Sequence, residues 1–168
     1  MRALTAVVGV VLLLTPCLAF AQFGWYEGGK AEDTWGVKVG WADLGDLGSG
    51  LTAGVDYKIS AWNQNWLLGL DWAQGDNDAT VWDLNFNWVQ DVKSDAYKWY
   101  YGGGIGLYYG DVQGENKTSF GAQLLAGMDF AQSWFAEIRY VLATGDLDGF
   151  TPGDQNVDGI RLTVGKRF

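Results

Sequence analysis

Five carboxylates stand at alternate positions of otherwise apolar ribbons: Asp56, Asp71, Asp83, Asp129 and Glu137. Six cations, Lys38, Lys58, Lys98, Arg139, Arg161 and Arg167, occupy equivalent positions. A pair of carboxylates does acid–base chemistry when its two members are held in different protonation states. Carboxylates matched by cations do something else: they neutralise one another where water is scarce, because an unpaired buried charge costs several kcal/mol. The near balance of six against five favours neutralisation, since the chain after residue 21 otherwise carries four basic residues against fifteen acidic ones. Nucleophilic systems built on histidine are closed to the chain, which has none. Its one cysteine, Cys17, lies in an apolar leader, so zinc sites of the usual kind are closed as well. No catalytic residue, cofactor or enzyme activity is expected.

Two acidic stretches have the composition, but not the spacing, of a cation site. "GDNDAT" supplies Asp76 and Asp78, and "GDLDGFTPGD" supplies Asp146, Asp148 and Asp154. Calcium prefers clustered carboxylates, but the full loop spacing with its terminal glutamate is missing, so both stretches read first as solvated loops. The net charge of −9 and the lack of a basic stripe argue against nucleic acid as a partner.

The elements that carry these charges alternate with period 2, the mark of strands. "TWGVKVGW" puts Trp35, Val37, Val39 and Trp41 on one face, and Gly36, Lys38 and Gly40 on the other. The same pattern recurs in Leu51–Trp62, Trp66–Trp72, Thr80–Trp88, Tyr97–Tyr109, Phe120–Phe130, Trp134–Leu142 and Ile160–Phe168. Eight ribbons, mostly about 9–11 residues long, have the length of tilted membrane-spanning strands. Tight connections are expected at Asn63–Asn65 and Ala131–Ser133, and a somewhat longer one at Val89–Ala96. The other set, Ala42–Gly50, Ala73–Ala79, Gly110–Thr118 and Ala143–Val157, reads as the outer loops.

Which face is wet follows from three features. Aromatics bracket the apolar faces, at Trp35/Trp41, Trp66/Trp72 and Trp82/Trp88, with Trp99 and Trp134 at further ribbon ends, as in an aromatic girdle. The apolar faces are almost free of charge, Lys166 being the exception. The polar faces are rich in Gly, Ser, Thr and Asn, which suit the inside of a narrow barrel. The charged faces are therefore expected to point inward and the tryptophans toward lipid. Glu137 and Arg139 are expected to pair with neighbours such as Arg161 and Asp129. The inward glycines offer a smooth wall to Tyr100, Tyr108 and Phe135. The fold class is all-β, an eight-stranded antiparallel up-and-down transmembrane barrel over residues 34–168. A rival reading, an exported soluble barrel holding a small ligand, needs the faces reversed.

Residues 1–21 read as a secretory signal: Arg2, an apolar stretch, then Ala19-Phe20-Ala21 before Gln22. Its loss would remove Arg2 and take the net charge to −10. Residues 22–33 would form a short periplasmic segment. No later apolar run is long enough for a spanning helix.

The end, "IRLTVGKRF", resembles the terminal strand of bacterial outer-membrane barrels, which typically finishes on Phe after alternating apolar residues. Ile160, Leu162, Val164 and Phe168 match; Lys166 departs. With the leader and the ribbons, the whole chain resembles the small eight-stranded class that includes the OmpA membrane domain, OmpX, OmpW and opacity-type proteins. The resemblance implies an outer-membrane location in a Gram-negative cell envelope, a monomer in lipid and lipopolysaccharide, and recognition of the last strand by the barrel assembly machinery. It implies no peptidoglycan-binding domain, since nothing follows the last strand. Members that are lipid A deacylases, palmitoyltransferases or phospholipases use a histidine, which this chain lacks. A structural or surface-interaction role is expected first. A narrow porin-like channel or lateral carrier for small solutes comes second.

Overall fold

The computed structural model describes residues 34–61, 64–76, 78–93, 98–112, 115–130, 133–144 and 158–168. The expected signal and N-terminal segment lie outside the described residues, as do Asp146, Asp148 and Asp154. Eight strands run in chain order: β1 (Thr34–Asp43), β2 (Ser49–Ala61), β3 (Gln64–Gln74), β4 (Thr80–Lys93), β5 (Lys98–Val112), β6 (Glu115–Phe130), β7 (Trp134–Thr144) and β8 (Gly159–Arg167). Each pairs antiparallel with its sequence neighbours, and β8 returns to β1 to close the barrel. Closure leaves no strand edge unpaired. The seam is tied to the end of the chain, where the Phe168 amide donates to the Trp35 carbonyl at 2.7 Å.

The alternation read from sequence sets the faces. Val37, Val39, Leu51, Ile105, Leu124, Ile138, Leu162 and Val164 point outward and are exposed. Lys38, Asp56, Asp71, Asp83, Glu137, Arg139 and Arg161 are buried inside. An exported soluble barrel would bury the first set, so the faces run opposite to that reading. Among the described residues no helix is long and apolar enough to cross a membrane.

Several connections are shorter than expected. The segment Gly110–Thr118 is not a loop: β5 runs to Val112 and β6 starts at Glu115, so Asp111, Asn116 and Lys117 belong to a strand hairpin. Likewise β4 continues to Lys93, well past Trp88. Cross-strand pairing continues for as long as the register lets both chains keep bonding, and Asp111↔Asn116 and Lys93↔Lys98 keep it. A run of polar residues does not end a strand when the partner strand is still there.

The first loop behaves in the opposite way and folds into the barrel. A short 3-10 turn, Gly45–Leu47, carries Leu44 and Leu47 into the mouth, where both are buried. Gly45 (φ 63°) and Gly48 (φ 79°) supply the left-handed backbone that turns the chain inward. The Leu44 amide donates to the Gly48 carbonyl at 2.8 Å. The loop between β3 and β4 clasps this turn, with the Asp76 amide donating to the Leu47 carbonyl at 2.7 Å.

Candidate functional site

The lumen is built in three layers, each set by which residue types fall on the inward positions. At the mouth, Leu44, Leu47, Ala79, Val81, Tyr108 and Val141 form an apolar layer with Ala42 and Ala73. At the other end Leu67, Val89, Tyr100 and Leu125 form a second. Between them lie the charges. Asp71 and Asp83 sit directly opposite one another on β3 and β4. Arg139 and Arg161 do the same on β7 and β8.

Like charges placed side by side repel. Here each pair finds its opposite across the barrel. Arg139 Nη1 donates to Asp71 Oδ2 at 2.9 Å, joining β7 to β3. Arg161 Nη1 donates to Asp83 Oδ2, joining β8 to β4. Two struts therefore span the lumen. Asn85 holds the aspartates together, donating to Asp71 Oδ2 at 3.0 Å and to Asp83 Oδ1 at 2.5 Å.

Lys38 forms the hub of the layer. Its Nζ lies 2.9 Å from Asp56 Oδ1, 3.0 Å from Asp71 Oδ1 and 3.7 Å from Glu137 Oε1. Glu137 Oε1 also accepts from Arg139 Nη2 at 2.7 Å, and Tyr100 donates to its other oxygen at 3.0 Å. A chain of neutral groups continues the network: Tyr108 donates to Gln123, Gln123 to Asn87 and Asn87 to Asn85. Outside this layer two partly exposed pairs lie at the far end, Lys58 with Asp91 at 2.9 Å and Arg167 with Asp129 at 3.1 Å. The Arg167 guanidinium also lies over the rings of Phe135 and Tyr100, at 4.5 Å and 5.2 Å.

No protein-family model and no curated protein matches the chain in sequence. Solved structures do match it in shape. Neisserial surface protein A superposes with a TM-score of 0.69 at 16% identity, over 83% of this chain and 98% of that one. The N-terminal β-barrel domain of Pseudomonas aeruginosa OprF gives 0.53 at 12% identity, over 83% and 100%. The outer membrane enzyme PagL gives 0.52 at 16% identity, over 79% and 98%. This chain has the fold of the small eight-stranded outer-membrane barrels. At such identities the likeness carries the fold and no activity.

In this small barrel the partners differ from those expected. Glu137 and Arg139 bond each other, Lys38 and Asp71, whereas Arg161 goes to Asp83 and Asp129 to Arg167. Stagger across a tilted barrel decides which residues meet over the lumen, and period 2 carries no information about stagger. Lys98, expected inside, is exposed at the first position of β5, where the barrel ends. Asp91, Asn85, Asn87 and Gln123 join the network beyond the charges expected from sequence, and their inward parity on β4 and β6 is the sequence signal for it.

The girdle residues Trp35, Trp41, Trp82, Trp88, Trp99 and Trp134 are exposed on the outer wall, with Trp66 and Trp72 half-buried. Trp66 stacks on Phe86 at 5.0 Å, and Trp35 tilts against Tyr57 at 4.6 Å. Ile160, Leu162 and Val164 face outward on β8, and Phe168 is exposed just beyond it. Lys166 lies among them, 5.4 Å over the Phe168 ring. Among the described residues no group of three or more acidic side chains is placed to hold a metal; Asp76 and Asp78 are exposed.

Proposed function

We propose that the chain is an integral protein of a bacterial outer membrane, with a structural or surface-interaction role and a lumen that does not conduct. The observation that carries this reading is the filled lumen. A buried network of paired charges crosses it, and an apolar layer caps each end. A hydrated ion entering this interior would have to lose its water and break the cross-barrel bonds. The exposed apolar wall supports lipid as the surrounding medium. The absence of histidine and the matching of the lumen carboxylates with cations support a role other than catalysis. Lipopolysaccharide and phospholipid would be its partners on the wall. The alternating end of β8 would be its address to the assembly machinery, and one barrel its functional unit.

Two measurements test the reading. Protein folded in detergent should migrate differently on a gel before and after boiling, and should show no single-channel events in a planar bilayer. Steady conductance steps from folded protein would favour the channel reading instead. The topology is tested in intact cells. A cysteine at Asp46, in the first loop, should react with an impermeant thiol reagent, and one at Gln64, at the short-turn end, should not. The reverse labelling would invert the orientation.

A further inference from the structure

The outer wall is not equally tall all the way round. On β3 and β4 two directly paired tryptophan rungs, Trp66–Trp88 and Trp72–Trp82, bracket only two other rungs, Leu68–Phe86 and Leu70–Leu84. Polar outward residues stop the belt on both sides: the rung Gln74–Thr80 beyond one tryptophan pair, and Gln64 with Gln90 beyond the other. Gln64 accepts the Trp88 indole hydrogen, so it is engaged at the boundary. From one tryptophan pair to the other is six residue steps. At about 3.3 Å each and a tilt of about 40°, the belt is about 15 Å tall.

The adjoining wall of β5 and β6 is taller. Its outward residues are apolar from Trp99 to Tyr109 and from Phe120 to Phe130. Ten steps at the same tilt give about 25 Å, the height of a normal apolar band.

The register distributes the shortfall. The row Gln74–Thr80–Asp111–Asn116 is polar on all four strands, but on tilted strands a row climbs toward the loop end by about 3 Å per strand, so the polar edge on β3 and β4 lies lower than on β5 and β6. The row that holds Gln90 on β4 continues as Tyr101 on β5 and Ala126 on β6. Polar gives way to apolar there, and Val92 beyond Gln90 pairs with Trp99 as the belt grows. The missing height is therefore shared between the loop end and the short-turn end of the β3–β4 face.

We infer that the β3–β4 face is a lipid-facing surface fitted to a locally thinned bilayer, and that its partner is the acyl chains of the two leaflets, brought together by about 10 Å in total relative to the β5–β6 side. The inference rests on the wall facing lipid, as proposed above. A hydrophobic segment shorter than the hydrocarbon is met by thinning of the surrounding bilayer. Tryptophan prefers the interface, and here two tryptophan pairs with glutamines outside them put both interfaces close together.

The test uses equilibrium unfolding in phosphatidylcholine vesicles of increasing acyl-chain length. The wild type is compared with a variant carrying Gln64→Leu and Gln90→Leu, which raises the short wall. The optimum chain length should shift upward in the variant. An unchanged optimum would mean that the glutamines already lie in hydrocarbon, and would overturn the inference. A second measurement does not depend on the double variant folding. Nitroxides attached singly at Gln64→Cys and Gln74→Cys, in long-chain vesicles, should both report headgroup depth. A hydrocarbon depth at either position overturns the thinned face and leaves the membrane reading standing. Protein that stays monodisperse without detergent and enters no vesicle would overturn both.

Discussion

Replacing Arg139 by alanine should cost the folded barrel about 3–5 kcal/mol, the range for breaking a buried ion pair from one side. The guanidinium is fully buried and holds Asp71 at 2.9 Å and Glu137 at 2.7 Å. Without it those carboxylates share Lys38 with Asp56, and one cation faces three anions where water does not reach. Urea unfolding in lipid vesicles, followed by tryptophan fluorescence, gives the number. Lys58→Ala provides the contrast. Its pair with Asp91 lies at the rim and is part-exposed, so solvent screens it and the loss should be about 1 kcal/mol or less. Equal, small losses at both positions would show that water fills the layer, which would revive the channel reading. A triple change, Arg139→Met with Asp71→Asn and Glu137→Gln, separates lost packing from stranded charge. It leaves Lys38 on Asp56 and Arg161 on Asp83, two balanced pairs. Stability should return most of the way, since replacing whole buried ionic groups is often close to neutral.

The barrel was legible in the sequence because one variable, face parity, decides so much of it. In Leu51–Ile59 every odd residue is apolar and the even positions carry Asp56 and Lys58, so inside and outside separate at a glance. The same parity indicated that Tyr100, Tyr108 and Phe135 turn inward. Three things were not legible. The cross-lumen partners depend on stagger, so parity alone points Glu137 and Arg139 to residues on adjacent strands, whereas Asp71 and Lys38 are the ones in reach. The first loop, Ala42–Gly50, belongs by pattern to the longer outer connectors and holds Asp43 and Asp46, yet Leu44 and Leu47 gain more by entering the lumen than by staying wet. The strand ends at Gly110–Thr118 were hidden because a pairing partner, not residue type, keeps them extended. All three are contacts between segments far apart in the chain, or along a hairpin whose length neither strand sets alone.

Gly104→Ala should destabilise the barrel by about 1–3 kcal/mol or more, while Gly110→Ala on the same strand should be neutral or slightly stabilising. The sequence shows both as glycines in one stripe of β5. Their surroundings differ. A methyl group at Gly104 would press into the Phe86 carbonyl and stand 2.6 Å from the Asn87 Cα, both backbone atoms of β4. Those atoms are fixed by the β4–β5 ladder, Asn87↔Gly104 included, so relief requires two strands to part. Asn87 is also a link in the buried network, between Gln123 and Asn85. At Gly110 the nearest atoms are 3.8 Å and 3.9 Å away, ordinary contact, and alanine would lower the entropy of the unfolded chain. Gly127→Ala should fall between the two. Its neighbour is the Tyr100 ring, a side chain that can swing aside at the cost of its bond to Glu137. Unfolding midpoints of the three variants in one lipid should therefore rank Gly110→Ala above Gly127→Ala above Gly104→Ala. A Gly104→Ala barrel as stable as Gly110→Ala would mean that β4 and β5 separate freely, so that pairing between these strands does not hold the lumen to its present width.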